Sequence, residues 1–157
     1  MTIELPDHIA GYISSQGTLT LATASPDAQP HASTFLYVND GTDLFFWTRT
    51  GTTTVRHLDE NPRVSFAIDR YDSDLRHSQG VQGTGQASPV VVGEDIARVA
   101  MMFGDKFPEL SPGATTTIMF FKVTPDMLSY IDNSGTASQI QGEEFGAEFH
   151  KDFRATA

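Results

Sequence analysis

The sequence contains no cysteine and no long apolar segment. The absence of cysteine excludes disulfides, thiolate nucleophiles and cysteine-based zinc sites. No run approaches the roughly 18 uncharged apolar residues of a membrane-spanning helix, and the opening MTIELPD lacks the basic and apolar segments of a signal peptide. We therefore expect a cytoplasmic protein with no membrane partner, in which redox chemistry requires a bound cofactor.

Basic residues are also scarce. Ten Lys and Arg stand against twenty Asp and Glu, which gives a formal charge of −10. This charge repels the phosphates of nucleic acids, so we expect no nucleic-acid partner. The five histidines show neither His-x-x-x-His nor HExxH spacing, so no metal site is predicted.

The composition that remains fits one globular domain. The chain has 157 residues, of which 39% are hydrophobic and eleven are Phe, and this is enough for a core without metal or disulfide support. Apolar residues recur at every second position in most segments and at helical spacing in three. We therefore predict a mainly β fold of six or seven short strands with three short helices. The predicted strands cover 18–24, 30–38, 43–49, 63–69, 80–92 and 115–123, with 127–131 extending the last strand or pairing beside it; the predicted helices cover 7–16, 52–60 and 94–103, and Gly104 follows the last helix.

A threonine-rich turn joins the third strand to the second helix. Thr48-Arg49-Thr50 ends the strand and Gly51-Thr52-Thr53-Thr54 opens the helix. Free amides at a helix N-terminus, hydroxyl donors and a guanidinium are groups that bind phosphate. The same residues also suit a structural role, with Thr52 capping the helix and Arg49 solvated at the strand end. Both interpretations stay open from the residues alone.

The segment Gln82-Gly83-Thr84-Gly85-Gln86 places two glycines within a predicted strand. It does not match a dinucleotide-binding fingerprint, because that motif lies at a strand-to-helix turn. We predict a β-bulge here, or the close approach of another backbone, a ligand or a second subunit.

The order of elements, together with four segments, resembles the pyridoxamine 5′-phosphate oxidase-like family. The segments are LTLATASPDAQPHASTFLYVNDG, LFFWTRTG, VRHLDENPRVSFAI and VQGTGQA, and the resemblance covers roughly residues 15–125. It implies an antiparallel split β-barrel of six or seven strands that forms a homodimer. Many members hold FMN at the subunit interface, others hold deazaflavin or heme, and some have no established activity.

The resemblance also implies a set of cofactor-binding positions. These are Thr34, Phe35, Thr48, Arg49, Thr50, Thr52, Thr53, Thr54, Gln82 and Gln86. Flavin-binding relatives commonly carry a Ser-Arg-Lys type triplet where this chain has three threonines, so two positive charges of the implied phosphate site are missing. No catalytic residue and no metal ligand is implied.

Two functional hypotheses follow. The first is an FMN-dependent, oxidoreductase-like protein that acts at a homodimer interface on a small-molecule substrate, which the sequence does not identify. The second is a non-catalytic or stress-related module that binds deazaflavin or heme, with His150 as a candidate axial ligand, or an empty barrel. We expect residues 1–132 to form the split-barrel domain, and 133–157 to form a C-terminal tail that a partner subunit orders.

Overall fold

The computed structural model describes residues 3–70, 72–74, 77–110, 117–132 and 150–156. Within these ranges the chain forms seven strands and three short helices, which confirms the predicted fold class. The strands are β1 (Thr18–Ala24), β2 (Pro30–Asp40), β3 (Asp43–Arg49), β4 (Arg63–Arg70), β5 (Gln79–Pro89), β6 (Ile118–Asp132) and β7 (His150–Arg154); the helices are α1 (Asp7–Ser15), α2 (Thr53–Glu60) and α3 (Gly93–Lys106).

The strands form a closed antiparallel barrel. Their order is β3-β2-β1-β4-β5-β6-β7, and β3 also pairs with the first part of β6, so that six strands close on themselves. The second part of β6 pairs with β7, the strand outside the barrel. The register places Leu21 of β1 opposite Phe66 of β4. Because side chains alternate along a strand, these apolar positions face the interior and their neighbours face outward.

The helices cover different parts of the barrel. Side chains of α1 and α2, among them Ile13 and Leu58, belong to the core cluster inside the barrel. Helix α3 lies outside, where Val99 and Phe103 pack against Val38, Phe45 and Phe120. The outer face of β2 and β3 is therefore covered by α3. The outward side chains of β1, β4 and β5 instead line an open groove.

The predicted bulge is present between β5 and β6. Thr84 pairs with Met127 and Gly85 pairs with Pro125, so Asp126 is an extra residue on β6. A bulge of this kind turns the side chain of the extra residue to a new direction.

The two glycines of β5 are required by contacts within the chain. A Cβ atom added to Gly85 would lie 2.3 Å from the carbonyl oxygen of Thr124, and one added to Gly83 would lie 2.4 Å from Cζ of Phe66. The close approach predicted from these glycines is therefore made by the same chain, and it gives no argument for a subunit contact.

Element boundaries differ from the sequence pattern around α3. The fifth strand ends at Pro89 rather than Val92, and α3 continues past Gly104 to Lys106. The expectation that Gly104 ends this helix was wrong. A helical glycine costs about 1 kcal/mol, but the amide of Phe107 donates to the carbonyl of Phe103 at 2.8 Å and keeps the last turn closed.

The predicted C-terminal tail contributes a strand to the sheet. Residues 150–154 form β7, and Leu128 of β6 pairs with Phe153. The amide of Ala155 also donates to the carbonyl of Asp126 at 3.0 Å. Ordering of the tail by a partner subunit stays a prediction.

The side-chain amine of Lys106, at the end of α3, is buried. Among the described residues its Nζ is the one buried side-chain nitrogen or oxygen without a hydrogen-bond partner. It lies 4.3 Å from the centre of the Tyr37 ring and 5.7 Å from that of Phe107. Burial lowers the pKa of this amine from its ordinary value of 10.5. The aromatic rings offset part of the cost of burying the charge.

We expect Lys106→Met to raise the free energy of unfolding by about 1 kcal/mol at neutral pH, because the substitution removes an unsatisfied buried ammonium. As the pH rises, the native state of the wild-type protein loses this proton at a lower pH than the unfolded state does, because its pKa is lowered. Wild-type stability should therefore rise as the pH increases from the lowered native pKa towards 10.5, and the advantage of the variant should shrink. Urea unfolding at neutral pH and just below pH 10.5 measures both effects.

Lys122→Met is the matched control. Lys122 is 40% exposed and lies 3.8 Å from Asp43, so its loss should change stability by less than about 0.5 kcal/mol. Equal gains from the two substitutions would contradict the role assigned to burial.

Candidate functional site

The turn between β3 and α2 is built as a helix cap. β3 ends at Arg49, and Gly51 has a φ of 77°, a left-handed conformation that favours glycine. The amide of Val55 donates to Oγ1 of Thr52 at 3.3 Å, and Oγ1 of Thr48 lies 3.4 Å from the same oxygen. The predicted helix and its threonine cap are confirmed.

The start of α2 carries backbone amides that have no acceptor within the helix. The first residues of an α-helix have no intrahelical acceptor for their N–H groups, and the Thr52 hydroxyl satisfies only that of Val55. The amide of the half-buried Thr53 also lies at the positive end of the helix dipole, whereas Thr54 is only 2% exposed. The exposed Arg49 at the end of β3 adds a positive charge beside this turn.

Some polar groups of the turn are already engaged. The guanidinium of Arg56 donates to the carbonyl of Gly51 at 2.8 Å and to Oγ1 of Thr53 at 2.9 Å. Thr48 and Thr54 are buried, with exposed fractions of 6% and 2%. The sequence predicted three hydroxyl donors at Thr52–Thr54, but Thr54 is buried, and the hydroxyl oxygens of Thr52 and Thr53 already accept hydrogen bonds within the turn. Thr50 is exposed, and its amide donates to the carbonyl of Thr117 at 3.0 Å.

A second group of predicted residues lies on the outer face of the barrel. Thr34 pairs with Thr20, Thr20 with Ala67, and Ala67 with Gln82, so these four form one row across β2, β1, β4 and β5. Three strand spacings separate Thr34 from Gln82, or about 14 Å. Gln86 lies further along β5 and is also exposed.

The row crosses an open groove of about 330 Å³ that has no ionisable lining. Its lining is made of small, amide, apolar and hydroxyl side chains. They are Thr20, Ala22, Ser65, Phe66, Ala67, Gln82, Gly83, Thr84, Met127 and Ser129. In a chain of charge −10, an uncharged sheet face of this kind is typical of a contact surface rather than a solvated one.

Phe35 belongs to neither surface. Its ring lies 4.7 Å from that of Phe46 and packs against the barrel core. Trp47 packs in the cluster under α3. The structure therefore separates the ten predicted residues into a group around the α2 N-terminus, a group on the outer face, and one core aromatic.

The structure adds a polar cluster that sequence reasoning missed. Asp126, the bulged residue, accepts a hydrogen bond from Oγ1 of Thr84 at 2.6 Å and one from the guanidinium of Arg63 at 2.7 Å. These two bonds, that of Thr84 first, hold the pKa of Asp126 below its ordinary value. No sequence signal marks this cluster, because its members meet only through the bulge.

Four histidine side chains are described, and two of them, the buried His57 and the half-buried His31, make polar contacts. Nδ1 of His57 lies 3.0 Å from Oγ1 of Thr23, and Nε2 of His31 lies 3.0 Å from Oγ of Ser33. His8 and His77 are exposed. The heme ligand considered from the sequence, His150, begins β7, and its side chain lies outside the described part of the chain.

Comparison with known proteins assigns the family. A family model described as pyridoxamine 5′-phosphate oxidase matches residues 5–132. The chain belongs to this family. The match spans β1 to β6 and all three helices of the barrel, and thus both groups of predicted site residues. A search of curated protein sequences found no match.

Solved structures with the same fold have different described roles. HutZ, the heme storage protein of Vibrio cholerae, shares 23% identity at a TM-score of 0.67, over 80% of this chain and 91% of that one. A conserved hypothetical protein of Mycobacterium tuberculosis shares 23% at 0.72, over 83% and 87%. An FAD-binding protein of Mesorhizobium loti shares 20% at 0.64, over 83% and 97%. At these identities the similarity shows the fold and does not identify the ligand.

None of the three described helices is long and apolar enough to cross a membrane.

Proposed function

We propose that the protein binds FMN at a site formed between two copies of the chain, and that it acts as an oxidoreductase on a small molecule. The observation that supports this proposal is that the candidate positions lie on two parts of the chain, one around the start of α2 and one on the outer sheet face. The first part offers an amide and a cation for a phosphate, and the second offers a flat, uncharged face with Thr34 and Gln82.

The open groove needs a second wall to hold a cofactor. Cofactor sites bury about 70–90% of their ligand, whereas an open sheet face covers one side of a flat ring. A second copy of the chain supplies the other side. Because the groove lacks ionisable groups, two copies that each carry a charge of −10 meet there without repulsion between like charges in contact.

The residues around α2 fit a phosphomonoester. The amide of Thr53 and the guanidinium of Arg49 supply donors for its oxygens. They supply less positive charge than a Ser-Arg-Lys triplet, so we expect weak binding. When bound, FMN supplies the electron-transfer chemistry. The chain orients the cofactor through its phosphate and excludes water from its ring, and we assign no proton-transfer residue.

The absorbance spectrum of the freshly purified protein separates the candidate ligands. Flavin bands support the proposal, and a Soret band supports the heme module. Protein that carries neither is titrated with FMN, with reduced and oxidised deazaflavin, and with heme. Binding of deazaflavin or heme without FMN binding contradicts the proposal.

We expect Arg49→Ala to weaken FMN binding by roughly tenfold to a hundredfold, the usual effect of one charged hydrogen bond. Riboflavin lacks the phosphate, so its affinity should stay within about twofold. Fluorescence titration of both flavins measures the two affinities.

Thr53→Arg should have the opposite effect, because it adds a cation at the start of α2. This substitution should strengthen FMN binding and leave riboflavin unchanged. Equal changes for both flavins would mean that the substitutions act through folding rather than through the phosphate.

A further inference from the structure

Helix α2 has only eight residues, so tertiary contacts must fix its position. Isolated helices of this length are marginal in water. Val55 and Leu58 pack into the barrel core, with exposed fractions of 7% and 9%. Close packing of these side chains holds α2 against the core, and a buried hydrogen bond adds a contact that depends on direction as well as on distance.

One buried polar contact between α2 and the barrel is directional. Nδ1 of His57 and Oγ1 of Thr23, near the end of β1, lie 3.0 Å apart, and the two residues are only 8% and 4% exposed. At the end of the helix, Nδ2 of Asn61 donates to the carbonyl of Ala24 at 3.1 Å. Both contacts tie α2 to the same end of β1.

The imidazole is also held from the side of β2. The rings of His31 and His57 meet edge to face, with their centres 6.0 Å apart, and Nε2 of His31 lies 3.0 Å from Oγ of Ser33. A rotation of α2 would break the contact between His57 and Thr23 and leave two buried polar groups unsatisfied.

We infer that His57 is a positioning residue, which through Thr23 fixes the placement of α2 on the barrel and thereby holds the N-terminal turn, with the amide of Thr53, where the ligand phosphate binds. Thr53 lies four residues before His57, one helical turn away on the same side of the helix. The hydrogen bond to β1 therefore sets the position of the N-terminal turn that receives the phosphate. This inference rests on the proposed function.

The test uses the ratio of FMN affinity to riboflavin affinity, which a general loss of packing leaves unchanged. Thr23→Val keeps the shape of the side chain and removes the hydroxyl, and we expect it to lower the ratio about tenfold. Thr23→Ser retains the hydroxyl and should keep the wild-type ratio. His57→Asn, which places a polar atom near the position of Nδ1, should keep a higher ratio than His57→Leu.

Circular dichroism and light scattering establish that each variant is folded. A folded Thr23→Val protein with the wild-type ratio would overturn the inference while leaving the proposed function intact. If Thr23→Val does not fold, the comparison of His57→Leu with His57→Asn decides in the same way. If the wild-type protein binds FMN and riboflavin with similar affinities, the proposed function is wrong, and this inference is wrong with it.

Discussion

The substitution Ala67→Arg is expected to convert the protein into monomers of 17.1 kDa and to weaken FMN binding at least about a hundredfold. Ala67 lies in the middle of the outer row, between Thr20 and Gln82. In a two-fold interface each copy would bury an unpaired guanidinium there, at a cost of several kcal/mol per charge. Light scattering at micromolar concentration measures the mass, and flavin fluorescence measures the affinity.

Ala97→Arg is the matched control. Ala97 is exposed on α3, away from the groove, so the same change of side chain should leave both mass and affinity unchanged. If the wild-type protein is already monomeric, the proposed interface does not exist. If Ala67→Arg is dimeric and binds FMN normally, the site lies elsewhere on the protein.

Gly85→Ala is expected to lower the free energy of unfolding by about 3 kcal/mol or more. The new Cβ would lie 2.3 Å from the carbonyl oxygen of Thr124 and 2.9 Å from Cα of Pro125. Both atoms belong to the backbone of β6, which cannot move without breaking the ladder beside the bulge. Such a loss is large against the typical stability of a domain, about 5–15 kcal/mol. Denaturant unfolding of the purified variant measures it.

Gly80→Ala provides the comparison on the same strand. A Cβ there would lie 3.6 Å from the carbonyl oxygen of Ile68, an ordinary contact, so the change in stability should be below about 1 kcal/mol. Similar losses at both positions would show that the cost comes from the strand conformation rather than from contact with β6.

The barrel could be predicted from the sequence because its signals are local. The alternation of Leu19 and Leu21 with threonines, and the threonine cap of α2, depend on neighbours along the chain. β7 gave no such signal. Of its five residues, HKDFR, only Phe153 is apolar, and the strand forms by pairing with the second part of β6.

The candidate site was less accessible to sequence reasoning because its geometry depends on non-local packing. The burial of Thr54 follows from its position four residues before Leu58, on the packed side of α2, and this spacing could have been recognised. The cluster of Asp126, Thr84 and Arg63 could not, since it depends on a register shift between distant strands. The outer face did leave a signal, because the outward positions of β1 and β5 carry no charge in an acidic chain.

We propose that each FMN site takes its phosphate contacts from one chain and its flat face from the other. Arg49→Ala damages the first group, and the double variant Gln82→Ala/Gln86→Ala damages the second. The two variants are co-expressed with different affinity tags, and the mixed dimer is isolated through both tags.

FMN titration of this mixed dimer distinguishes a site shared between chains from a complete site within each chain. If each site is shared between the chains, one site of the mixed dimer contains both defects and the other contains none. Half of the sites of the mixed dimer should then bind FMN with wild-type affinity. If each chain holds a complete site of its own, every site carries a defect. Weakened binding at all sites of the mixed dimer would contradict the shared site.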